Sequence, residues 1–251
     1  MHTRFYQCHL NRLIMNGLIL HKSADRGHAN HGWLDTFHSF SFARWYNPQH
    51  LGIGPLRVLN QDRIAGGRGF GAHRHNNMEI ISIVLEGALE HKDSSGTHSI
   101  IKPGEIQIMS AGTGVSHSEM NHLKNGITEF LQIWIEPKEQ NTPMSYQQKQ
   151  INQKLENSLP ILVSQKPSEN DLSIQQDVSI LGGEFSNISS AKYTIDGGRC
   201  GYLHLAKGDA SINGIDFSSG DGAYIPSGGE IFFKSKSEEG YFLLFDLPKL
   251  N

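Results

Sequence analysis

Gly67-Arg68-Gly69-Phe70-Gly71-Ala72-His73-Arg74-His75-Asn76-Asn77-Met78-Glu79 runs directly into Ile80-Ile81-Ser82-Ile83-Val84-Leu85. The glycines read as a turn, and the apolar run reads as a buried strand. Side chains two residues apart on a strand leave the same face. His73 and His75 therefore project together. Ser110-Ala111-Gly112-Thr113-Gly114-Val115-Ser116-His117-Ser118-Glu119 repeats the pattern, with a Gly-rich turn followed by His117 and Glu119 at the same spacing. On neighbouring strands of a small barrel the two pairs converge, offering three imidazole nitrogens and one carboxylate oxygen to one ion. A lone His-x-His pair arises by chance on many surfaces. Two such pairs, each behind a Gly-rich turn, are far more specific.

That donor set contains no thiolate, which argues against a structural zinc site. Its imidazoles disfavour Mg and Ca. It suits Fe(II), and it accepts Mn, Co, Ni, Cu or Zn. Four protein ligands leave two positions open on an octahedral ion, where a substrate and O₂ could sit side by side. Glu79 reads as sharing the inward parity of His73 and His75, as a further ligand, an orienting acid or a plain interior carboxylate.

Working outward, the 251-residue chain is rich in glycine, with 27, and its short apolar runs alternate with Gly, Asp, Asn and Ser. Many short strands joined by turns are implied, hence an all-β fold. Strands are expected at 80–85, 106–109, 130–135, 202–205 and 241–245. One polar helix is expected over 145–157. The two halves share an order of strand, Gly, hairpin, Gly-acid, strand and Gly. Val84-Leu85-Glu86-Gly87 matches Leu205-Ala206-Lys207-Gly208, and Gly104 to Gly112 matches Gly220 to Gly228. Two copies of one barrel are implied. A gapless register puts Thr194 and Asp196 at the positions of His73 and His75, and Phe233 and Ser235 at those of His117 and Glu119. One metal per chain is therefore expected.

The formal net charge of −3, with basic residues scattered among acids, gives no stripe for direct nucleic-acid binding. No apolar run reaches the length of a membrane span. Cys8 and Cys200 form no disulfide framework, so a cytoplasmic setting is expected. Residues 1–16 read as a frayed tail, or as an extension upstream of a start at Met15. Of the 14 histidines, His28, His31 and His38 read as packing residues, and His91, His98 and His122 as solvated turn residues.

Residues 27–42, 67–79 and 105–119 closely resemble the pirin family of the cupin superfamily, and the likeness runs from about residue 18 to 248. His31-Gly32-Trp33-Leu34-Asp35 and Ser110-Ala111-Gly112-Thr113-Gly114 are its specific runs. The resemblance is strongest to bacterial pirin-like quercetin 2,3-dioxygenases. It implies a bicupin: an extension over 1–17, a metal-binding cupin over 18–145, a linker or helix over 146–158 and a metal-free cupin over 159–251. It implies His73, His75, His117 and Glu119 as ligands. On the enzyme reading a flavonol such as quercetin meets O₂ at the metal, its central ring opens and carbon monoxide leaves. Glu119 is then ligand or base, and Phe70, Met78, Glu79 and Trp134 are candidate pocket residues. The alternative is a non-enzymatic, metal- or redox-sensing regulator that binds a partner protein.

Overall fold

The structure is a computed structural model that describes residues 14–151 and 154–250, apart from the side chain of Ile14. Cys8 and most of the expected extension lie outside those residues. The first strands are β1 (Ile14–Met15), β2 (Leu18–His21), β3 (Gly27–Asn30), β4 (Leu34–His38) and β5 (Leu56–Ala65). The metal motifs occupy the next group: β6 (Gly69–His75), β7 (Glu79–Glu86), β8 (Leu89–Asp93), β9 (His98–Ile101), β10 (Glu105–Ser110), β11 (Val115–Asn121) and β12 (Ile127–Ile135). Then come β13 (Ser145–Gln150), β14 (Ile161–Ser164), β15 (Leu172–Ser173), β16 (Ser179–Ser186) and β17 (Ser190–Ile195). The chain closes with β18 (Arg199–Lys207), β19 (Asp209–Ile212), β20 (Ile215–Ser218), β21 (Gly222–Ile225), β22 (Gly229–Ser235) and β23 (Glu239–Pro248). All five expected strands fall inside observed ones.

The strands form two barrels of the same design. In the first, the sheet β13-β10-β7-β12-β5-β4-β3 faces the sheet β6-β11-β8-β9. In the second, β1-β2-β21-β18-β23-β16-β14-β15 faces β17-β22-β19-β20. The orders β6-β11-β8-β9 and β17-β22-β19-β20 match strand for strand, so the internal repeat is real. The two large sheets pack on each other through Ile81, Ile83, Ile106 and Ile108 from one half and Val163, Ile180, Leu243 and Phe245 from the other. Strand alternation then decides what faces inward. On β10, Ile106 and Ile108 enter this shared core, so Gln107 and Met109 face the interior of the first barrel.

Three expectations need correction. The helix expected over 145–157 is absent among the described residues: residues 145–150 form β13, paired residue for residue with β10. Those residues carry no apolar stripe at helical spacing, so a helix there would have no face to bury. The open edge of β10 supplies backbone hydrogen bonds instead, and Gln147 bonds both Ser173 N and Ser173 O in the second half. Next, β2 falls outside the first barrel. It pairs with β21 of the second. Leu18 enters the core of the second barrel while Ile19 enters the shared core. Finally, the gapless register slips by three residues on β17. Phe233 of β22 pairs with Ala191, just as His117 pairs with His73. Ala191, and not Thr194, therefore stands where His73 does.

Leu18→Ala removes a fully buried side chain from the second barrel although it lies near the chain's start. It should cost about 2–5 kcal/mol of stability in urea unfolding. An unchanged midpoint would show that β2 is not docked there.

Candidate metal centre

The centre is built on one backbone ladder. β11 lies between β6 and β8, with His117 opposite His73 on one side and Asp93 on the other. The register on β6 then shifts, so that Glu119 faces Phe70. This bulge lets β6 turn away while β11 keeps strict alternation, with Val115, His117, Glu119 and Asn121 all buried. Gly112 fixes where β11 begins. Its φ is +48°, and a Cβ there would lie 2.1 Å from the Thr142 carbonyl oxygen, so only glycine fits.

The structure brings His73, His75 and His117 together, with one ring nitrogen of each within 4.8 Å of the others. Ring centroids are 4.4 Å apart for His73 and His117, 5.0 Å for His75 and His117, and 4.8 Å for His73 and His75. His73 Nδ1 donates to the Gly71 carbonyl at 2.8 Å, which leaves the lone pair on Nε2. His75 Nε2 and both nitrogens of His117 are buried with no hydrogen-bond partner among the described residues. Burial, then the neighbouring rings of His117 and His73, pushes His75 down to about 4. Burial, then His73 and His91, pushes His117 down to about 3. Those two rings are neutral at physiological pH. Converging imidazole lone pairs without protein partners fit a divalent transition-metal ion.

Glu119 stands beside this group and outside its 4.8 Å circle. Its Oε1 accepts from Ser82 Oγ at 2.9 Å, and its Oε2 accepts from Gln132 Nε2 at 2.6 Å. Each carboxylate oxygen has two lone pairs, so each keeps one for a further partner. Asp62 is buried as well, and Thr36 Oγ1 donates to it. Burial pushes Asp62 up to about 7, and the charge of Glu119 adds to the effect.

The pocket candidates separate. Trp134 stands edge-on to His75, with ring centroids 4.8 Å apart. Met78 packs on the same apolar pad, which includes Ile80, Met109 and Val115. Phe70 is the cross-strand neighbour of Glu119 and packs against Trp33. Glu79 is elsewhere. The turn at Asn77, with φ of +49°, resets the alternation between β6 and β7. Glu79 therefore shares a face with Ile81 and Ile83, towards the second half, where it accepts from Ser110 Oγ at 2.9 Å.

Sequence reasoning missed His91 and Asp93. His91 was expected in solvent, yet both side chains are fully buried. His91 Nε2 donates to Asp93 Oδ2 at 3.0 Å. Burial opposes ionisation of Asp93, but donors from Ser95, His91 and Thr97 outweigh it and hold the carboxyl at about 2. The signal was a His-x-Asp pair on a strand. Ser82, Gln107 and Gln132 were missed too, and each is a single polar residue inside an otherwise apolar strand.

Comparison with known proteins accords with this geometry. Residues 20–135 match the Pirin family, and residues 161–247 match the Quercetinase C-terminal cupin domain. Quercetin 2,3-dioxygenase of Escherichia coli (strain K12) is 39% identical over 231 residues, covering 92% of this chain and 99% of the relative. A pirin-like protein of Caulobacter vibrioides is 37% identical over 201 residues, covering 79% and 86%. The crystal structure of YhhW from Escherichia coli, 38% identical, matches with a TM-score of 0.88 over 93% of this chain and 99% of that one. The structure of the bacterial pirin YhhW with nickel(II) matches at 0.86 over 93% and 100%. With both cupin barrels in place and a relative 39% identical along nearly its whole length, this chain belongs to the pirin family.

Proposed function

We propose that this chain is a metal-dependent dioxygenase that opens the central ring of flavonols such as quercetin with O₂ and releases carbon monoxide. One observation carries the reading most: three imidazoles converge beside an aromatic wall, two of them with buried nitrogens that have no partner among the described residues. The names of the relatives supply the substrate class.

His73, His75 and His117 are the residues that would hold the ion, with Glu119 as the fourth donor. Fe(II) is our choice of native metal from the donor set; Mn, Co, Ni, Cu and Zn suit the same ligands. Bound there, the ion supplies Lewis acidity towards the flavonol 3-hydroxyl and a redox partner for O₂. The protein's own part is orientation and proton handling. Ser82 and Gln132 grip Glu119 from two directions, so its carboxylate arrives in one orientation. Glu119 takes the 3-hydroxyl proton on a free carboxylate lone pair. Trp134 and Met78 offer a flat apolar wall to the rings. His117 and Glu119 are only 2% exposed, so bulk water is kept from the reacting side. His73 and His75 are half-buried, which leaves the approach from the β6 side.

Two measurements test this. His117→Ala should abolish stoichiometric metal binding, and Gln132→Leu should weaken it by about 10–100-fold with the fold intact. Equal affinity in the Gln132 variant would separate Glu119 from the ion. Purified protein reconstituted with each of the six metals should consume quercetin and release carbon monoxide with at least one of them, and His73→Ala should not. Tight metal binding without turnover by any ion would reject the dioxygenase reading in favour of a metal-gated binding protein.

A further inference from the structure

The large sheet of the first barrel carries a polar strip on its inner face. Gln107 on β10 pairs with Ser82 on β7, Ser82 with Gln132 on β12, and Gln132 with Asn60 on β5. Neighbouring strands lie about 4.8 Å apart, so the strip is continuous. Ser82 and Gln132 hold Glu119, and Asn60 Oδ1 lies 2.9 Å from His38 Nδ1. Gln107 is the exception. It is fully buried, and neither its amide oxygen nor its amide nitrogen has a partner among the described residues.

A similar vacancy in hydrogen bonding lies on the small sheet opposite. Asp93 accepts from His91 Nε2, which leaves Nδ1 pointing away from Asp93. That Nδ1 is also buried and unpartnered. His91 is the cross-strand neighbour of Glu119, and its ring centroid lies 5.3 Å from that of His117. Buried polar groups in native proteins nearly always find partners, and each exception asks for a reason. Leucine would fill the Gln107 position without leaving any polar atom unpaired.

We propose that Gln107 and His91 read the hydroxyl pattern of the substrate. The Gln107 amide gives one oxygen a donor and another an acceptor, and His91 Nδ1 offers a second hydrogen-bonding atom to a phenolic hydroxyl. The ligand this fits is flat, uncharged and rich in hydroxyls. An acid would meet Glu119 and Asp62, whereas Met109 and Trp134 suit an aromatic ring. The assignment rests on the flavonol reading and makes it specific: hydroxylated flavonols are selected over bare ones by groups on the protein, in addition to the metal.

The test is equilibrium binding of quercetin and of unsubstituted flavone to zinc-loaded protein without O₂, followed by quenching of tryptophan fluorescence. Gln107→Leu should raise the quercetin Kd about tenfold, the loss of roughly one well-placed hydrogen bond, and leave the flavone Kd within about twofold. Zinc content should be unchanged, and Tm should hold or rise, because an unpartnered amide has gone. A preserved quercetin-to-flavone ratio in Gln107→Leu, or a marked fall in Tm, overturns the assignment and leaves Gln107 a structural residue. His91→Leu with full quercetin affinity and full zinc content removes His91 from it. Wild-type protein that binds neither flavonoid rejects the flavonol reading itself, and the assignment with it.

Discussion

The pairing of β6 with β11 is the constraint on which the metal centre depends. A strand shifted by one residue turns every side chain to the opposite face. His73, His75 and His117 converge because His117 lies opposite His73 and Val115 opposite His75. The register is held at both ends. Gly112 allows the chain to pass against Thr142 before β11 starts, and the bulge after His117 absorbs one extra residue of β6. Glu119 stays inward through that bulge, where Ser82 and Gln132 from the opposite sheet take it. The small sheet supplies the imidazoles, and the large sheet orients the carboxylate beside them.

An interior of this kind costs stability. Imidazoles and an amide without partners among the described residues, and buried carboxyl groups, each lose hydration on folding. The offset comes from hydrocarbon elsewhere. Isoleucines and leucines of both large sheets form the shared core, and the second barrel buries a core of its own. β2 ties these together, with Ile19 in one core and Leu18 in the other. The metal barrel is thus braced from outside as well as by its own smaller apolar clusters, because part of its interior is given over to polar groups.

The sequence carried the parts of this that depend on local periodicity. The two-residue spacing of His73 and His75, and of His117 and Glu119, decided which side chains share a face. The glycines at 87, 104, 208 and 220 marked the repeat. Long-range pairing was not legible. Nothing in Leu18–His21 says that β2 crosses to the second barrel, and the polar residues 145–150 carry no mark of the edge they complete. Parity also failed wherever a turn intervened: Asn77 reset it and carried Glu79 to the far face. His91 was misjudged because its closeness to the hairpin at 93–96 outweighed its place on a strand after Leu89. The most informative signal was passed over. Ser82, Gln107 and Gln132 each interrupt an apolar strand at a position that alternation sends inward.

The two barrels show what that signal means. The strand orders of their small sheets are the same, yet the positions of His117 and His73 are taken by Phe233 and Ala191, which pair across the ladder in the same way and join a buried apolar core. One backbone therefore supports two interiors. Filled with aromatic and aliphatic side chains, the barrel contributes stability. Lined with polar groups, it can bind and react. A single small barrel does both poorly, since each polar group turned inward displaces hydrocarbon that would otherwise hold it closed. Duplication separates the tasks between halves, and the shared core couples them. The chemistry in the first barrel is sustained by packing in the second.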